Sequence, residues 1–219
     1  MIDPQTTRSF WDEQHRLNNR ANLTGSHPEG ELGNLRAATR VRRGARVLNV
    51  GVGLGNTTNV LIEAGCEVSI LDISPLALER FAGRVQGAYL PEELPRLPDR
   101  YFDLALSHLV MQHMNDAALL PQIQHVVRSL TECGTFAFQF AVGWNQGTKS
   151  SRFPTPIDEA LPYCRTLGWM TEVVEAAGGM VVFAELSENF PQYQFGWYVA
   201  HVMPALGLPK FSPSGARYT

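Results

Sequence analysis

The chain has 219 residues, enough for one domain of the usual roughly 100–200 residues with a small addition. Hydrophobic residues make up 44% and charged residues 18%, so there is a core to bury and no case for extensive disorder. A formal net charge of −3 gives no general reason to expect nucleic acid, which attracts basic surfaces, and no apolar run approaches the about 20 residues of a membrane span.

The start, Met1 to Trp11, is polar and carries Asp3, unlike a secretory signal. Cys66, Cys133 and Cys164 are odd in number and far apart, which suits a reducing, cytoplasmic setting and shows no metal-ligand spacing. Arg36, Arg40, Arg42, Arg43 and Arg46 form the one basic concentration, read as a solvated approach to a strand, with a phosphate-binding patch as the alternative. Residues 1–43 are expected to be a helical segment or cap, and residues 44–219 the core.

From Arg46 the chain alternates short apolar strands with helical stretches, the pattern of a parallel sheet covered on both faces. Arg46 to Val50 is strand-like and runs into a glycine cluster. Asn56 to Ala64 has helical apolar spacing and stops at Gly65. Glu67 to Leu71 is a second strand ending at Asp72. Ser74-Pro75 opens a helix expected to carry Leu76, Leu78 and Phe81 as far as Gly83. Val85 to Leu90 holds a third strand, and Pro91, Pro95 and Pro98 mark a loop. Phe102 to Leu106 is a fourth strand, and Asn115 or Asp116 caps a helix running to Leu130. Thr135 to Phe140 alternates as a fifth strand, and a loop from Gly143 to Pro162 follows. A helix from Trp169 to Ala177 leads to two closing strands, Met180 to Leu186 and Phe195 to Val202. Too few residues separate these two for a parallel crossover, so they are expected to be antiparallel neighbours.

Gly51, Val52, Gly53, Leu54 and Gly55 join a strand to a helix, a junction where glycines let the backbone approach a ligand and the helix start offers unpaired N–H groups. Asp72 closes the next strand, where a carboxylate can accept hydrogen bonds from ribose hydroxyls. Dinucleotide sites favour G-x-G-x-x-G, and position 56 is Asn, which disfavours that reading.

Val47-Leu48-Asn49-Val50-Gly51-Val52-Gly53-Leu54-Gly55 resembles the first motif of the class I S-adenosylmethionine-dependent methyltransferases, and Leu71-Asp72-Ile73-Ser74 resembles their second. Tyr101 to Ser107 with Val110 to Met114, and Leu130 to Thr135, resemble the fourth strand with its turn and the approach to the fifth. The likeness covers roughly Gly44 to Val202. It implies an α/β fold with a doubly wound, mostly parallel seven-stranded sheet and an antiparallel last strand. It also implies S-adenosylmethionine as cofactor, held by Asn49, Gly51, Val52, Gly53, Gly55, Asp72, Ile73, Tyr89, Leu90 and Ser107. Two departures stand out: Asn49 occupies the place of a usual acid, and no acid lies near Gly87, so backbone groups, or stacking and apolar contact from Tyr89 and Leu90, are expected to substitute.

An in-line methyl transfer depends on positioning, and a hydroxyl acceptor adds the need for a base. His108 and His113, just after the fourth strand, are the candidates for that base; structural hydrogen bonding is the competing role for both. His201, in an apolar strand, reads as a core histidine, and His125 as a surface one. Trp11 and His15 before the core, and Trp144 in the loop after the fifth strand, are candidate substrate-binding residues. With no adenine- or cytosine-modifying motif, the expected partner is a small-molecule acceptor rather than nucleic acid or membrane. No metal is expected, and a homo-oligomer stays open. The alternatives are a non-catalytic adenosyl-ligand scaffold and a nicotinamide-dependent oxidoreductase.

Overall fold

A computed structural model describes residues 4–19, 23, 32–143, 148–149, 163–190 and 195–205. Helix α1 covers Pro4–Arg16. There follow β1 (Arg46–Val50), α2 (Asn56–Glu63), β2 (Glu67–Leu71), α3 (Pro75–Glu79), β3 (Gly87–Tyr89) and β4 (Phe102–Ser107). Then come α4 (Asp116–Ser129), β5 (Leu130–Gly143), β6 (Thr148–Lys149), β7 (Tyr163–Cys164), α5 (Leu167–Ala176), β8 (Gly179–Phe190) and β9 (Phe195–Pro204).

Seven strands form one sheet in the order β3-β2-β1-β4-β5-β9-β8, and β6 pairs with β7 apart from it. Strands β1 to β5 run parallel, while β9 is antiparallel to both β5 and β8. This is the doubly wound sheet expected, with the closing hairpin in place. The order reverses between β1 and β4, so their carboxyl ends open the crevice where ligands bind in such folds.

Alternation along the buried strands feeds two core layers. Leu48, Val50, Ala105, Phe136, Phe138 and Phe140 pack against Ile123 and Val126 of α4 and Val174 of α5. Val47, Ile70, Leu104, Leu106 and Ala137 pack against Leu61 of α2, Ala77 of α3, Phe81 and Leu35. Each fully buried Leu or Phe contributes about 1.5–3 kcal/mol, so this double covering dominates the stabilisation.

The helix caps agree with their residue types. The Asn115 side chain accepts the Ala118 N–H, and Thr166 accepts that of Trp169. Some boundaries differ from expectation. Helix α3 ends at Glu79 rather than Gly83, because the chain turns there and Phe81 packs under Gly55. Strand β5 extends to Gly143, since its pairing with β9 continues through Gly143↔Phe195. His201 is a satisfied core histidine, its Nε2–H donating to the Leu35 carbonyl at 2.6 Å. His125 is half-buried rather than a surface residue. Among the described residues, no helix is long and apolar enough to cross a membrane.

Candidate functional site

The turn between β1 and α2 is built on left-handed backbone. Gly51, Gly53 and Gly55 have φ of 81°, 53° and 89°, which a side chain would strain. Space adds a second reason. A Cβ on Gly51 would overlap the Val110 side chain, and one on Gly55 would overlap the Phe81 ring. At Gly53 it would meet the Leu23 carbonyl oxygen at 2.5 Å. The glycines therefore let the protein's own segments close on the turn. The first turn of α2 receives no side-chain cap from Gly55.

Asp72 follows β2 and is only 9% exposed. Its carboxylate accepts the Val52 N–H at 2.7 Å and the Ser74 N–H at 2.9 Å. The Gly51 N–H donates to the Leu71 carbonyl at 2.8 Å. Asp72 thus anchors the glycine turn to the end of β2. Burial pushes its carboxyl above the usual range, against the pull of the N–H groups of Ser74, Val52 and Gly53. Asn49 is buried in the strand feeding the turn, and its amide donates to the Thr58 hydroxyl at 2.9 Å, tying β1 to α2.

Helix α1 lies across these strand ends. Arg8 donates to the Ile73 carbonyl at 3.0 Å and pairs with Glu92 at 2.6 Å. The Ser74 hydroxyl donates to Asp12, and Arg80 donates to the His15 carbonyl at 2.9 Å. His15 is buried, with no partner at Nδ1, and burial holds its pKa down to about 4, Arg80 pushing the same way and Asp12 opposing. Trp11 reaches the far side, its ring edge-on to His113 with centroids 5.1 Å apart.

At β3, the Tyr89 carbonyl accepts the Asp72 N–H at 3.1 Å, while the tip of its ring leans back over Gly87. The ring therefore turns away from the carboxyl edge. Leu90 stands at that edge, its N–H donating to Glu93 at 3.0 Å. The acids on this side are Glu92 and Glu93, a few residues beyond the position where sequence found none.

Strand β4 ends in a cluster of buried polar atoms without partners among the described residues: Ser107 Oγ, His108 Nε2, Gln112 Oε1 and His113 Nδ1. Such atoms are few in a native fold, and four within seven residues mark a place shaped for a ligand. Leu109, at φ 56°, turns the chain sharply there. Burial alone lowers the pKa of both His108 and His113 to about 4, so both rings are neutral at pH 7. The Gln112 side-chain amide nitrogen lies 3.3 Å from His113 Nε2. His113 Nε2 is thus engaged by Gln112, whereas Nε2 of His108 has no partner among the described residues.

Arg165 braces this turn. Its side chain is 0% exposed and bonds Asp116 and the carbonyls of Met111 and Met114, between the rings of Tyr163 and Trp169. No sequence signal distinguishes it, for a lone arginine in a loop reads as solvated. Gln139 was likewise missed, although a polar residue inside the alternation of Thr135 to Phe140 was a visible signal. Trp144, and with it most of the loop from Gly143 to Pro162, lies outside the described residues. Among the described residues, no group of three His, Cys, Asp or Glu gathers to hold a metal.

Residues 48–138 match the family described as a methyltransferase domain. A stretch of 92 residues is 40% identical to malonyl-(acyl-carrier protein) O-methyltransferase of Pseudescherichia vulneris, covering 40% of this chain and 36% of that protein. The chain thus spans little more than a third of that curated relative. Among solved structures, the 1,6-didemethyltoxoflavin-N1-methyltransferase of Burkholderia thailandensis, with 1,6-didemethyltoxoflavin and S-adenosylhomocysteine bound, superposes with a TM-score of 0.70 at 20% identity, over 93% of this chain and 91% of that one. The cyclase SpnF superposes equally well, with a TM-score of 0.70 at 15% identity over 94% and 98%. At these identities the two structures speak for the fold.

Proposed function

We propose that the chain is a class I S-adenosylmethionine-dependent methyltransferase that transfers a methyl group from S-adenosylmethionine to an oxygen or nitrogen of a small acceptor, a reading supported by its sheet order and by the methyltransferase domain that residues 48–138 match. The observation that carries the reading is the meeting, at one sheet edge, of the left-handed glycine turn, Asp72 and the unpartnered polar atoms after β4.

The residues fit an adenosyl cofactor. The glycine turn and the open start of α2 present backbone N–H groups, Asp72 keeps lone pairs for a ribose hydroxyl beyond those its backbone partners occupy, and Leu90 offers an apolar wall for the adenine. When bound, the cofactor supplies an electrophilic methyl on a sulfonium. Ser107 Oγ and His108 Nε2, buried and without partners among the described residues at the end of β4, are the polar groups left for an acceptor. A neutral His108 with a free ring nitrogen is suited to accept a proton from a hydroxyl or amine acceptor. His113 is held by Gln112 and Trp11, a positioning role. Helix α1 acts as a cap over the crevice, and excluding water there would strengthen the polar interactions inside. Arg8, Asp12 and Trp11 hold it there. The matched relative is named for O-methylation, which favours oxygen.

A non-catalytic adenosyl-binding role is the second reading, favoured by Asn49, which spends its amide on Thr58 where the family usually has an acid. Calorimetry with S-adenosylmethionine, S-adenosylhomocysteine and NAD separates the possibilities. Binding of both adenosyl ligands and not NAD is expected. Binding of NAD alone would overturn the proposal, and adenosyl binding without methyl release across a broad acceptor panel would favour the second reading.

A further inference from the structure

The parallel register Ser107↔Phe138 brings the next residues, His108 and Gln139, side by side where β4 and β5 reach the crevice. Gln139 is 4% exposed, and its Oε1 has no hydrogen-bond partner. It follows Ala137 on the small-residue row of β5, while Phe136, Phe138 and Phe140 fill the opposite layer. A glutamine on such a row is costly unless its oxygen is used, because an apolar residue of the same length would pack there without the loss.

The charges around the crevice bear on what that oxygen meets. Among the described residues, the nearby cations are already engaged: Arg8 by Ile73 and Glu92, Arg80 by the His15 carbonyl, and Arg165 by Asp116 and two carbonyls. The histidines are neutral. Gln112 adds a second buried amide oxygen without a partner. Among the described residues, the crevice therefore offers hydrogen-bond acceptors and no unengaged arginine to balance an anion.

We infer that Gln139 recognises the acceptor, its Oε1 accepting a hydrogen bond from an O–H or N–H of a neutral substrate, and that a carboxylate is not the group bound there. This rests on the methyltransferase reading above and narrows its substrate class. It departs from the anionic malonyl group in the name of the matched relative.

The test is thermal unfolding of the full chain saturated with S-adenosylhomocysteine, with phenol as neutral donor probe and malonate as anionic probe at equal concentration. The wild type and Gln139→Met are compared, with Gln139→Asn as the second variant should the first not fold. Phenol is expected to raise the wild-type midpoint and to raise that of the variant less. Malonate is expected to raise neither. An equal phenol shift in both proteins, zero included, overturns the inference, as does a malonate shift that matches or exceeds the phenol shift in the wild type. Failure of S-adenosylhomocysteine to bind sinks the broader reading instead, so the two failures are distinguishable.

Discussion

Replacing Asp72 by Asn tests whether one side chain both anchors the glycine turn and holds the cofactor. The carboxylate accepts backbone N–H groups from Val52 at 2.7 Å and Ser74 at 2.9 Å. Asn keeps the volume and one acceptor oxygen, but sets an NH2 group against the other N–H. One hydrogen bond to a charged group, about 1.5–3 kcal/mol, is lost, and a buried N–H is left unpaired, so the gross cost is about 2–4 kcal/mol. Relief of the carboxylate's desolvation, the leading influence on its pKa, offsets part of that, leaving about 1–3 kcal/mol. A domain of this length loses roughly 2–4 °C of Tm per kcal/mol, so calorimetry should record a fall of about 2–12 °C. The fold survives, since native stability is typically about 5–15 kcal/mol. Titration with S-adenosylhomocysteine should show affinity reduced about tenfold or more, which corresponds to only about 1.4 kcal/mol. An unchanged Tm would refute the anchoring role, and unchanged affinity with a lowered Tm would refute the ribose role.

Gly51→Ala should weaken cofactor binding at least about tenfold, because a Cβ overlaps Val110 and the φ of 81° is strained; calorimetry that finds wild-type affinity contradicts this. His108 and His113 have native pKa values near 4, below the unfolded 6.5, so the unfolded chain binds protons more readily. Their contribution is fully present above pH 6.5 and is lost as pH falls toward 4. Urea unfolding across that window should show declining stability, and NMR titration of either ring near 6.5 would show that it is not buried as described. Arg165→Met should cost about 3–5 kcal/mol by leaving two carbonyls and Asp116 without their partner. Arg165→Lys should recover only part of it, since an ammonium cannot serve three acceptors in one fork; full recovery by Lys in urea unfolding would show that the fork is unnecessary.

Local chemistry made much of this protein legible from its residues alone. The alternation of apolar strands and helices, the cap at Asn115 and the glycine cluster depend on neighbours a few positions away, and they predicted the sheet, its antiparallel close and the glycine turn. The approach of Asp72 to that turn followed from parallel strands lying side by side.

What the order of residues could not decide was how distant groups spend their hydrogen bonds. Asp72 has its backbone partners, Asn49 has Thr58, and Tyr89 leans back over Gly87, so these candidates meet the crevice differently from what their positions implied. Trp11 meets His113 across about a hundred residues of chain. Arg165 and Gln139 have no local signature of comparable weight, because their meaning lies in burial: one cation satisfied inside the fold, one oxygen left unsatisfied. Only packing creates those two conditions, since in the unfolded chain water would serve both side chains alike.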